Sequence, residues 1–112
     1  MNKTNNLRVA TLNVSTLTGK GMEVAEMMVR RKIDVLSLQE IRWTGQTARE
    51  LGLDCKLYYT GGEEKRNGVG IVLHGDIKKT LVEVIRVNDR LMAVRVQLKN
   101  VMVFVVAAYA PQ

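Results

Sequence analysis

The chain has 112 residues, enough for one small domain. Its 17 Lys and Arg outweigh 11 Asp and Glu, for a net charge of +6 that favours anionic partners such as nucleic acid. A single cysteine, Cys55, excludes an intrachain disulfide and a cysteine-built zinc site, and the longest apolar run, Val101 to Ala108, is too short to cross a bilayer as a helix. The polar segment Met1 to Asn6 lacks an apolar signal core and is expected to be disordered. These features predict an intracellular protein, nuclear or cytoplasmic, that does not enter a membrane. Aromatic residues are few, so the core must be built from Val, Leu, Ile and Met.

Leu7 to Val14 is rich in β-formers and predicts a strand. Ser15 to Gly21 is a loop by composition. Met22 to Lys32 predicts a helix, with Val24, Met27, Met28 and Arg31 on one face and cations in the last turn, where the helix dipole favours them. Asp34 to Gln39 predicts a short buried strand. Ala48 to Leu51 predicts a helical turn before Gly52. Lys56 to Thr60 and Val69 to His74 predict strands, separated by a charged, glycine-containing loop over Gly61 to Gly68. Thr80 to Val87, Leu91 to Leu98 and Val101 to Tyr109 predict three more, joined by tight turns at Asn88-Asp89 and Lys99-Asn100. The order is β-α-β followed by strands in antiparallel succession, with one good helix to cover an apolar sheet. That mismatch predicts missing structure or a partner surface.

Three strand ends carry residues with chemical potential. Asn13 ends the first strand; an amide there either forms a turn or holds a phosphate, a metal-bound water or a carboxylate. Glu40 ends the strand after the helix. The βαβ unit brings Asn13 and Glu40 to one sheet edge, beyond the carboxyl ends of parallel strands, where ligand sites gather. Magnesium uses one or two carboxylates and several waters, so Glu40 is either a metal ligand or a solvated acid paired with Arg42. Tyr109 ends the last strand, as a rim tyrosine or as a phenol facing the same cleft. Arg66-Asn67-Gly68-Val69-Gly70 is a hairpin entry rather than a nucleotide loop, since no helix follows. His74 and Cys55 are isolated and structural.

Leu12-Asn13, Leu38-Gln39-Glu40, Gly68-Val69-Gly70 and Tyr109-Ala110-Pro111, in that order, resemble the endonuclease/exonuclease/phosphatase superfamily. Residues 7 to 112 are similar, in longer stretches such as KRNGVGIVL and NDRLMAVRVQL, to craniofacial development protein 2-like sequences, a branch derived from a non-LTR, RTE-type retrotransposon endonuclease domain. The resemblance implies an α/β fold: the first sheet and helices of a four-layered DNase I-like α/β-sandwich, truncated to its N-terminal half. It implies that Glu40 binds a catalytic Mg2+, with Mn2+ as the alternative ion. It implies that Asn13 supports the metal and phosphate site and that Tyr109 contacts the scissile phosphate. Arg42 and Gln112 fall where the family touches nucleic acid. Ser15 stands where some members carry an Asp, so a second metal ligand is not expected there.

The activity implied is magnesium-dependent hydrolysis of phosphodiesters in nucleic acid, DNA above all. The family's Asp-x-Asn and Asp-His motifs are expected beyond Gln112, so this chain alone is expected to be inactive, marginally stable, and in need of the missing half or another chain to cover its sheet. The alternative is a basic, non-catalytic module that binds nucleic acid or protein.

Overall fold

The computed structural model describes residues 6–110, so the expected disorder of the first residues and the role of Gln112 lie outside the described residues, apart from Asn6. Strand β1 (Val9–Asn13) leads through a loop to helix α1 (Gly21–Arg31), which returns to β2 (Val35–Gln39). β1 and β2 pair in parallel, with Val9 opposite Val35 and Asn13 opposite Gln39. β3 (Gln46–Gly52), β4 (Cys55–Thr60) and β5 (Val69–His74) complete a five-stranded sheet of order β1-β2-β5-β4-β3, every other pairing antiparallel. A 3-10 turn over Gly75–Thr80 then leads into a second sheet, the meander β6 (Leu81–Asn88), β7 (Leu91–Gln97) and β8 (Met102–Ala108).

The interior strand β2 is buried from Val35 to Leu38 because both of its faces are covered. Leu36 and Leu38 pack with Val24, Ala25 and Met28 of α1, while Val35 joins Ile71 and Leu73 against Met92, Val94 and Val96 of β7. Full burial of each such side chain contributes roughly 1.5–3 kcal/mol. The buried face of α1 is thus Val24, Ala25 and Met28, with Met27 partly buried and Arg31 left in solvent. The helix ends at Lys32, whose left-handed backbone lets its N–H reach the Met28 and Val29 carbonyls.

Two expectations are corrected. Ala48 to Leu51 lies in strand β3, not in a helical turn. Leu53 and Asp54 both adopt positive φ, the geometry of a tight hairpin turn, and pairing with β4 overrides the local helical preference of this polar segment. The inner face of the first sheet is also not bare. The last three strands form a sheet of their own that packs across it, and Arg86 bolts the two together by donating to the Tyr59 carbonyl (2.9 Å) and the Thr47 carbonyl (2.8 Å). The uncovered surface is the outer face of the second sheet, where Met102, Phe104 and Val106 are exposed, Phe104 by 57%.

Candidate functional site

The parallel pairing of β1 and β2 brings their carboxyl ends level, and the chain then locks the two exits together. Val14 N–H donates to the Gln39 carbonyl and Leu17 N–H to the Ile41 carbonyl, each at 3.0 Å. Trp43 Nε1 donates to Thr18 Oγ1 (3.1 Å), with Arg49 stacked 4.5 Å from its ring centre. After β2 the backbone zigzags. Glu40 and Arg42 both have positive φ, and Ile41 between them is fully buried. This arrangement puts Ile41 into the core and leaves its two charged neighbours at the surface.

Glycine at 68 and 70 makes that zigzag feasible. A Cβ on Gly70 would lie 2.6 Å from Ile41 Cδ1, 2.7 Å from Leu57 Cδ1 and 3.1 Å from the Tyr58 carbonyl oxygen. Gly68 has φ +89°, and a Cβ there would lie 3.2 Å from Arg42 N. Its carbonyl accepts the Ile41 N–H (3.0 Å), and the Asn67 carbonyl accepts the Arg42 N–H (2.8 Å). The Gly68-Val69-Gly70 motif therefore seats the segment that presents Glu40.

Asn13 Nδ2 donates to Glu40 Oε2 at 2.5 Å, and Asn13 Oδ1 accepts the Ser15 N–H at 3.1 Å. Those two bonds fix the amide's orientation with its nitrogen toward the carboxylate. Arg42 binds the other oxygen, Oε1, at 2.9 Å. The Arg42 guanidinium first, and the Asn13 amide second, hold the Glu40 carboxyl below its ordinary value of 4.5, so it is ionised at neutral pH. Lys20 adds a second cation nearby, its Nζ donating to the Val14 carbonyl at 2.9 Å.

Tyr109 reaches the same end of the molecule by a chain of backbone contacts. The end of β2 faces the start of β5, Gly68 N–H donates to the Asp89 carbonyl (2.9 Å), and Tyr109 N–H donates to the Arg90 carbonyl (2.9 Å). Asn67 Nδ2 reinforces this with a bond to Asp89 Oδ2 (3.0 Å). Asn13, Glu40 and Arg42 are thus in direct contact. Tyr109 stands at their end of the sandwich on the other sheet, its ring packed against the second core cluster rather than bonded to Glu40. His74, the sole histidine, ends β5, which pairs antiparallel to β2, and so sits at the opposite end.

No family model matches the chain. It is 34% identical over 106 residues to craniofacial development protein 2 of Bos taurus and 32% identical to that of Tragulus javanicus, in each case over 92% of this chain. It spans 18% of the length of these relatives. Among solved structures it resembles the endonuclease domain of TRAS1, a telomere-specific non-LTR retrotransposon, at TM-score 0.65 and 14% identity, covering 94% of this chain and 46% of that one. An AP endonuclease from Archaeoglobus fulgidus aligns at TM-score 0.61 and 21% identity, covering 81% of this chain and 37% of that one. An endonuclease/exonuclease/phosphatase family protein from Leptotrichia buccalis aligns at TM-score 0.59 and 13% identity over 95% of this chain and 55% of its own. The chain shares the fold of these endonuclease and endonuclease/exonuclease/phosphatase structures.

The donor set at the strand tips fits a hard divalent cation. An ionised carboxylate, turned outward and oriented by an amide, suits an ion that keeps most of its waters. Among the described residues no three His, Cys, Asp or Glu side chains gather, so Glu40 would be the protein's charged ligand. Asn13 presents an N–H, which orients the carboxylate and cannot itself ligate a cation. Sequence reasoning missed the Asn67–Asp89 bond and the Trp43–Thr18 bond. The Asn67-Gly68 step marked a turn, but nothing local marked its partner 22 residues on.

Proposed function

We propose that this chain supplies the metal-binding wall of a divalent-metal-dependent phosphodiesterase that acts on nucleic acid, with DNA as the substrate. The observation that carries the reading is the Asn13–Glu40 contact beside Arg42, at the carboxyl ends of two parallel strands. Magnesium, when bound, would polarise a phosphate oxygen and stabilise the departing oxygen. Glu40 would hold it, and Asn13 would keep the carboxylate turned outward. Arg42 and Lys20 would draw in the phosphate, and Tyr109 would bound the cleft from the second sheet. The net charge of +6 supports a polyanionic substrate.

The same reading makes the isolated chain inactive. Its one imidazole, His74, is at the far end, so no histidine in it can take a proton from water beside Glu40. Lack of a positioned general base costs typically about 10²–10⁴ in rate. The alternative, a basic binding module without metal chemistry, is favoured by the outer apolar face around Phe104, which resembles a protein-docking surface.

The two readings separate in a binding assay with a short DNA duplex. The proposal expects Mg2+ to strengthen binding and Glu40→Ala to abolish that gain. Salt-sensitive binding indifferent to both Mg2+ and Glu40→Ala supports the alternative. Nicking of supercoiled plasmid by the isolated chain, lost in Glu40→Ala, would support the chemistry and contradict the inactivity.

A further inference from the structure

Both oxygens of Glu40 are engaged by side chains of this protein, and the two partners are held differently. Asn13 is pinned by the Ser15 N–H and by its place in the β1–β2 ladder. Arg42 is pinned only through its backbone, by the bond from its N–H to the Asn67 carbonyl. Its side chain is 48% exposed, and the guanidinium bonds to Glu40 alone. The guanidinium can therefore leave while the loop stays in place.

The energetics favour that exchange. A guanidinium–carboxylate pair at the surface is weak, because solvent screens it and holding the long side chain in one geometry costs entropy. A divalent cation would be the largest local charge at Glu40 and would repel a guanidinium 2.9 Å from Oε1. With Oε2 held by Asn13, Oε1 is the oxygen for which cation and guanidinium compete, and their like charge disfavours sharing it. Two residues along from the cation's ligand, a freed guanidinium has a planar donor fork suited to phosphate oxygens.

We propose that Arg42 is a displaceable counter-ion. It neutralises Glu40 before the metal arrives, yields Oε1 to the cation, and turns its guanidinium onto the phosphodiester held beside that cation. The inference rests on the function proposed above and adds a coupling to it: metal and phosphate each strengthen the binding of the other through one arginine. By linkage the coupling is reciprocal.

A purely bracing arginine and a displaceable one predict opposite signs. Mn2+ is titrated into the 15N-labelled 112-residue chain, and paramagnetic broadening of the Ser15 amide is followed with and without the dinucleotide TpT. For Arg42→Gln the proposal expects about threefold to fivefold tighter Mn2+ binding without TpT, matching the loss of a surface ion pair. It also expects the gain in Mn2+ affinity that TpT gives the wild type to disappear. Arg42→Lys, which keeps the charge, stays near wild type for Mn2+ alone. Weaker or unchanged Mn2+ binding by Arg42→Gln, with Glu40→Gln still losing it, would overturn the counter-ion role and leave the proposed function standing. Broadening that ignores Glu40→Gln, or none at Ser15, would overturn both.

Discussion

The two sheets have similar strands and unequal surroundings. The first is covered on both faces, by α1 on one side and by the second sheet on the other. The second is covered on its inner face only, and Phe104 and Val106 on its outer face are more than half exposed. The parts of the candidate site divide the same way. Asn13, Glu40 and Arg42 stand on the well-covered sheet, whereas Tyr109 extends from the half-covered one. The difference teaches that the Asn13–Glu40–Arg42 cluster rests on a sheet covered on both faces, whereas Tyr109 depends on a sheet with one face unsupported.

The comparison breaks most visibly in the first sheet. Leu38→Ala removes a fully buried side chain between α1 and β2 and is expected to cost about 2–5 kcal/mol in urea unfolding. Gly70→Ala follows. Its new methyl would drive into Ile41 and Leu57, at an overpacking cost of about 1–3 kcal/mol. Because Ile41 sits between Glu40 and Arg42, the same variant should shift the amide resonances of Ser15 and Arg42. Arg86→Ala unbolts the two sheets and should cost about 1–2 kcal/mol, moving the β6–β8 amides more than those of β1 and β2.

Two smaller effects sharpen the contrast. Glu40 has a folded pKa below its unfolded value of 4.5, so its bonds contribute stability above that pH and lose it as pH falls through the folded value. The stability difference between wild type and Glu40→Gln, followed by urea unfolding from pH 7 to pH 2, should therefore be full at neutrality and vanish in acid. Phe104→Ser removes a large side chain that touches little, so stability should change by less than about 0.5 kcal/mol. Sedimentation should nevertheless show less self-association.

Much of this was legible in the sequence because it is local. Asn13 ends β1 and Glu40 follows β2 in a βαβ unit, and the parallel pairing of these adjacent strands makes their tips neighbours. The strand pattern of β5 to β8 was equally plain. What was hidden is long-range. Nothing in Thr80 to Tyr109 marks those strands as a separate sheet, because an inward-facing Val94 looks the same whether it packs on a helix or on another sheet. Gln46 to Gly52 is polar and helix-tolerant, and only its partner β4 makes it a strand. The Glu40–Arg42 pairing could be read from the sequence, but the left-handed turns that place it fall on residues that carry no such signal, so they became visible only with the backbone.

The most direct test of the account is where a divalent ion settles. Mn2+ added to the 15N-labelled chain should broaden first the amides of Ser15, Glu40 and Arg42, then that of Tyr109 across the cleft, and Glu40→Gln should abolish the pattern. Broadening centred on the acidic loop at Glu63 and Glu64, or spread evenly over the surface and unaffected by Glu40→Gln, would contradict it.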